Sequence, residues 1–237
     1  MNWDNVKLII AFCCLASLMI FSAIRNQQRQ ISDIEVTIKG DIYGLLDHEI
    51  VDKLLILKQP DLSNMAKLGV DLKLLEKAIE RNPYIKSAEV FLSISGVLYV
   101  EFVEREPIAR LFGGEHGYID AMGFKMPLSD KSAPRLPLVD MVDCKEELSE
   151  ITQLANYVHR HSQLKKIITA YGCDEQGRLT FQTRVWNHKV VLGNMDDLSF
   201  KMNKFLAFYQ YAYETDKLSS YKTVNLTAGN QVVGIKI

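Results

Sequence analysis

Seventeen consecutive residues near the amino terminus, Leu8 to Ile24, carry no charge. A helix crossing about 30 Å of hydrocarbon needs roughly 20 apolar residues, with a lower limit near 17. A core helix of a water-soluble domain keeps a polar face, and this run offers only Ser17 and Ser22. A cleaved signal peptide calls for small residues at both positions of an A-x-A pattern. Phe21-Ser22-Ala23 puts an aromatic ring at the first of them, and Phe12 before Cys13 argues equally against lipid attachment. The run therefore reads as one uncleaved transmembrane helix, residues 8–24, in contact with the lipid bilayer. Residues 1–7 are then a tail and residues 25–32, RNQQRQIS, a polar stalk. Charge does not orient the span, because Lys7 and the amino terminus stand against Arg25 and Arg29. Size does: seven residues precede it and more than 200 follow. The expected arrangement is a short tail inside and a large folded part outside.

The clearest pattern beyond the span lies between Glu80 and Leu111. Asn82-Pro83 ends a helix, since the residue before a proline is driven from the α region. Ala88, Val90 and Leu92 then alternate with Ser87, Glu89 and Phe91. After Ser93-Ile94-Ser95-Gly96, Leu98, Val100 and Phe102 alternate with Tyr99, Glu101 and Val103. Alternation on both sides of a glycine-containing turn predicts a half-buried hairpin. Ile34 to Ile38 alternates in the same way. Ile50, Leu54 and Leu57 predict a helix over 48–57 with Asp47 as its N-cap, and Leu72, Leu75 and Ile79 predict a second helix over 71–81. The order strand, helix, helix, strand, strand fits two helices on one face of a three-stranded sheet.

After Pro107 the chain reads as a mostly antiparallel β domain with two helices, giving an α+β fold class overall. Tyr118 to Met126 predicts a short hairpin, and Leu138-Val139 a short strand. Residues 146–158 predict a helix, 166–185 a hairpin, 189–192 a strand and 197–214 a long helix. That last helix carries a stripe of Leu198, Met202, Phe205, Leu206, Tyr209 and Tyr213, with Lys201 and Lys204 off it. Strands over 221–226 and 231–237 follow. A terminal strand offers unpaired backbone groups that can accept a strand from another protein. The pattern alone fits an internal sheet strand equally well.

Chemistry is scarce. The chain has no G-x-S-x-G, phosphate loop, G-x-G-x-x-G or H-E-x-x-H. No cofactor is implied and no enzyme activity is expected. The four cysteines and five histidines show no zinc spacing, so no metal is expected. A net charge of −1 leaves no basic footprint for nucleic acid. His159 and His161, two residues apart at a helix end, read as surface groups, as do His48 and His188. Asp120 reads as a turn residue bonding its own backbone, and Asp196-Asp197 as a cap for the long helix. Asn225-Leu226-Thr227 matches a glycosylation sequon within a predicted strand. Cys144 and Cys173, in separate predicted elements, read as buried thiols. A disulfide between them stays open for a chain outside the cytoplasm.

Several segments together resemble the bacterial cell-division family FtsQ/DivIB. They are Asn82-Pro83-Tyr84-Ile85 before Ala88-Glu89-Val90, then Gly96 to Val100, then Glu104-Arg105-Glu106-Pro107-Ile108-Ala109. Tyr118-Ile119-Asp120 with Gly123-Phe124, Arg135 to Leu138, and Lys222 to Leu226 with Gln231-Val232-Val233 continue in the family's order. The likeness implies a POTRA domain (β-α-α-β-β) over 33–105 and a β domain over 106–237. It implies a non-enzymatic divisome scaffold in the plasma (inner) membrane, single-pass, concentrated at the division septum. It also implies binding to FtsB-like and FtsL-like proteins and, through them, support of the septal peptidoglycan synthase FtsW–FtsI. The family's last β strands carry the FtsB contact, which points to Tyr221, Val224, Leu226, Asn230, Val232 and Gly234 as protein-binding residues. Ala228 and Ile235 stand where some members place aromatic anchors.

Two other readings compete. A POTRA-bearing protein of outer-membrane translocation or assembly needs a barrel of at least eight strands of about ten residues. The stretch after Pro107, with its helices and short strands, does not supply one. A membrane-anchored cell-wall enzyme needs a nucleophile or metal constellation that the sequence lacks.

Overall fold

A computed structural model describes residues 3–27, 31–41, 43–46, 71–142, 144, 148–185 and 189–236. The chain divides into two compact units, Met1–Glu104 and Arg105–Ile237.

The first unit begins with helix α1, Trp3–Gln27. At 1.5 Å per residue it is about 37 Å long. Its apolar window Val6–Ala23 has a mean hydropathy of 2.3 and none of it is buried. By length and composition it can cross a membrane. The Ser17 hydroxyl donates to the Cys13 carbonyl at 2.8 Å, so it brings no unpartnered polar group into an apolar stretch.

Among the described residues, the rest of the first unit carries β1 (Asp33–Lys39), α2 (Leu72–Glu80), β2 (Ile85–Leu92) and β3 (Val97–Glu104). The sheet order is β1-β3-β2, with β1 parallel and β2 antiparallel to β3. The hairpin forms where the alternation placed it, and Gly96 takes a φ of 101° at its turn. Leu98, Val100 and Phe102 face the core with Ile85, Ala88 and Val90. α2 starts at Asp71, whose carboxylate accepts from the Leu74 N–H at 3.0 Å, and it buries Leu75 and Ile79 on the sheet. The helix expected over 48–57 lies outside the described residues.

Two carboxylates of α2 bond to backbone donors on the β2 edge of the sheet. Glu76 accepts from the Val90 N–H at 3.1 Å, and Glu80 from the Ala88 N–H at 3.2 Å. These β2 donors point away from β3, so the helix covers part of that edge.

The second unit carries β4 (Ala109–Phe112), β5 (Gly117–Ile119), β6 (Lys125–Met126) and β7 (Leu138–Asp140). Next come α3 (Leu148–Arg160), α4 (Ser162–Ile167), β8 (Ile168–Cys173), β9 (Leu179–Thr183) and β10 (Lys189–Gly193). The unit ends with α5 (Leu198–Glu214), a 3₁₀ turn over Leu218–Ser220, β11 (Tyr221–Asn225) and β12 (Val233–Lys236). One nine-stranded sheet runs in the order β12-β11-β10-β9-β8-β7-β4-β5-β6. Most pairings are antiparallel. The parallel pairs β7/β8 and β10/β11 are bridged by α3–α4 and by α5, as parallel neighbours need a crossover. The short α4 takes residues that the sequence assigned to the start of a strand. Six residues with one buried side chain, Leu164, are too few to show a helical period.

Cys144 and Cys173 correct the sequence reading of buried thiols. They form a disulfide with Cα atoms 5.5 Å apart, joining the segment before α3 to the end of β8. Both sulfurs lie in the core. Sequence separation could not show that the two elements meet.

Candidate functional site

β12 is the outermost strand of the large sheet and β11 is internal. Both readings of the terminal strands therefore apply, one to each strand. β12 pairs antiparallel with β11 from Asn225↔Val233 to Tyr221↔Lys236. Its other side ends the sheet, and a strand in that place presents backbone N–H and C=O groups outward. Val233 and Ile235 alternate along it and are 44% and 55% exposed.

Three residues fix this strand against the domain. Phe208 of α5 meets the Tyr221 ring edge-on at 5.3 Å between centroids. Tyr221 in turn covers Gly234, where an added Cβ would lie 2.5 Å from two ring carbons. Only glycine allows that approach. Lys204 of α5 then ties down the turn between the strands. Its ammonium donates to the carbonyls of Leu226 at 3.1 Å and Gln231 at 3.4 Å, and to that of Gly229. Asn225 Oδ1 accepts from the Thr227 N–H and hydroxyl, both at 2.8 Å, which shapes the same turn. The sequence placed Lys204 off the buried stripe, and nothing in its spacing pointed to backbone carbonyls as partners. Replacing Lys204 with Met keeps the stem and removes three charged bonds. Such bonds contribute roughly 1.5–3 kcal/mol each. Amide exchange over 226–236 is expected to speed up by about tenfold or more in Lys204→Met while α3 and β8 keep their protection.

The six sequence-predicted binding residues fall into two groups. Val224 and Leu226 are buried in the core. Their side chains hold the strand and do not face outward. Tyr221, Val232 and Gly234 are half-buried and Asn230 is exposed. The outward apolar residues, Val233 and Ile235, were not among the six. Their signal was the alternation itself, read one register away.

The remaining candidates are structural. Asp120 is buried; its Oδ1 accepts from the Met122 and Phe124 N–H groups at 2.9 and 2.8 Å, as expected for the turn. Its Oδ2 accepts from Arg105 at 2.6 Å, and Arg105 also lies over the Phe124 ring. His159 is not a free surface group, because it meets Glu106 at 2.8 Å. His161 contacts the Tyr157 carbonyl and stacks on its ring, so the two histidines serve different partners. Asp197 occupies the N-cap position of α5 but its side chain makes no capping bond; its backbone is left-handed, with φ 51°. Asp196 bonds Asn194 instead. On α5, Met202, Phe205 and Ala212 are buried and Tyr213 is exposed, which corrects the last position of the stripe. Burial raises the pKa of the Tyr209 phenol and lowers that of the Lys201 ammonium. Among the described residues, no group of three or more histidines, cysteines and acids could hold a metal ion.

A family model described as FtsQ/DivIB, C-terminal related, matches residues 106–235, more than half of the chain and nearly all of the second unit. The chain belongs to the FtsQ/DivIB family. No curated protein matches the sequence. Membership gives the chain a role in cell division and places its partners among divisome proteins. The FtsQ/DivIB family is one of non-enzymatic division proteins. Among the described residues, one apolar helix of spanning length lies ahead of this domain, which fits a single-pass membrane protein of that family.

Proposed function

We propose that this FtsQ/DivIB-family chain is a membrane-anchored divisome scaffold whose terminal strand β12 captures FtsB-like and FtsL-like partners by strand addition. Through them it supports septal peptidoglycan synthesis by FtsW–FtsI. The observation that carries this reading is the β12 edge, with its outward Val233 and Ile235. Backbone bonds along an edge give affinity and alternate side chains give selectivity. The contrast with β2 supports it: there the chain covers an edge with Glu76 and Glu80.

The first unit is proposed as the POTRA module, with a boundary near 105. Its β1-β3-β2 sheet and packed α2 support that assignment. The disulfide supports an extracytoplasmic second unit, because such bonds persist in oxidising compartments. The amino terminus is then cytoplasmic and the folded units lie outside the inner membrane, at the septum.

Because Val224 and Leu226 are core residues, deleting 221–237 would damage the domain itself. A substitution on the outward face is the cleaner test. Ile235→Lys places a charge on the edge, a device that blocks strand pairing. Capture of FtsB-like and FtsL-like proteins by the full chain is expected to weaken about tenfold or more, with unchanged thermal unfolding. Undiminished capture would remove β12 as the contact.

A further inference from the structure

A second feature of the Arg105–Ile237 unit lies outside the proposed partner contact. Between α3, α4, the start of β8 and the loop before β7 there is a cavity of about 170 Å³. Arg135, His159, Lys165 and Arg184 all line it, and among the described residues no acidic one does. The chain as a whole has nearly equal numbers of basic and acidic side chains, so this convergence is a local departure. The four groups come from four separate places: the loop before β7, the end of α3, α4, and the residue after β9. Among the described residues, the carboxylate touching a lining group is Glu106, on His159.

Two details suit the cavity to an anion. Arg184 is anchored: its backbone N–H donates to the Ile167 carbonyl at 2.8 Å and its Nε to the Lys166 carbonyl at 3.1 Å. That leaves the terminal nitrogens of the guanidinium available. Tyr171 also lines the cavity and is 2% exposed. A phenol can donate a hydrogen bond to a bound anion. Burial raises its pKa, so it remains a neutral donor. Thr169 adds a hydroxyl, while Ile108 and Val158 give an apolar floor.

We infer that this cavity binds a phosphoryl group. Three side-chain cations converging from different directions match a multiply charged, three-oxygen anion better than a single carboxylate. Guanidinium groups suit phosphate through paired, charge-assisted bonds. The phosphoryl group comes from a soluble phosphate ester or from a lipid headgroup, and the experiment separates these sources.

The test is calorimetric titration of the full chain in a neutral detergent. The probes are glycerol phosphate, a short-chain phosphatidic acid dissolved in the same micelles, and acetate. Saturable binding of at least one phosphorylated probe is expected, with acetate much weaker. Glycerol phosphate binding alone identifies a soluble ester as the source; much tighter binding of the lipid identifies a headgroup. Arg184→Gln and Lys165→Met, both at exposed positions, are each expected to weaken binding about tenfold, since charged hydrogen bonds are of that size. Tyr171→Phe is expected to weaken it less. Each variant should retain wild-type thermal unfolding without ligand. Absence of saturable binding to the wild type, equal binding of acetate, or unchanged binding in both Arg184→Gln and Lys165→Met would overturn the inference.

Discussion

Glu104→Ala is expected to destabilise the first unit by about 3 kcal/mol, since it removes a buried charged acceptor from several backbone donors at once. Glu104 ends β3 and is 2% exposed. One oxygen accepts from the N–H groups of Leu45 and Leu46 at 2.6 and 3.2 Å. The other accepts from Tyr43 and Gly44 at 2.7 and 3.3 Å. Four successive N–H groups thus converge on one carboxylate, the arrangement by which backbone nests hold anions. The partners lie about 60 residues apart in sequence, so the contact closes the segment after β1 onto the end of β3. Without the carboxylate, donors near the buried Leu45 lose their acceptor and water must reach them. In a unit of this size a loss of about 3 kcal/mol lowers the melting temperature by roughly 10–20 °C. Glu104→Gln keeps the shape and one oxygen, and about half the effect is expected. Hydrogen exchange read by mass spectrometry gives the test: residues 71–104 should lose protection while 105–237 keep it. Equal protection in both variants would show that the carboxylate is incidental.

The strands were legible in the sequence because burial imposes a period of two and the chain obeys it. Leu98, Val100 and Phe102 are all at most 1% exposed. That same phase continues to Glu104, so the sequence held a signal that its acidic side chain obscured. A charge in an inward position is buried with partners, and here the partners are backbone groups, which carry no side-chain signature. Lys204 was hidden for the same reason, because its acceptors are carbonyls of a turn more than 20 residues away. On α5 a period of 3.6 falls between Ala212 and Tyr213, and the small residue took the buried place. At the candidate site, the two terminal strands themselves were legible. Which strand is the edge depended on β11 lying parallel beside β10, a long-range pairing that local pattern does not encode. Hence Val224 and Leu226 read as contacts and proved to be core, while Val233 and Ile235 went unselected.

The second large effect is expected at Cys144 and Cys173, whose pairing no local pattern could reveal. The bond closes a loop across a sequence separation of 29. Restricting a loop of that length in the unfolded chain stabilises the fold by about 3–4 kcal/mol in the chain-entropy description. The double variant Cys144→Ala/Cys173→Ala is therefore expected to melt roughly 10–15 °C lower in the second unit. The first unit, which holds neither cysteine of the pair, should keep its own protection. Alkylation reports the bond directly, with Cys13 and Cys14 as internal references because both are free. The chain purified from membranes and denatured without reductant should take up two alkyl groups, and four once reductant is added. Both sulfurs are buried, at 0% and 4% exposure, so reductant should act slowly on the folded protein and quickly after unfolding. The same assay tests topology. If the second unit lies outside the cytoplasm, the full chain keeps the two-group pattern in cells with an oxidising envelope, whereas the residue 105–237 segment, which holds only Cys144 and Cys173, takes up two groups without reductant when it is produced in a reducing cytosol. Four groups without reductant on the membrane-derived chain would remove both the bond and the support it lends to an extracytoplasmic domain.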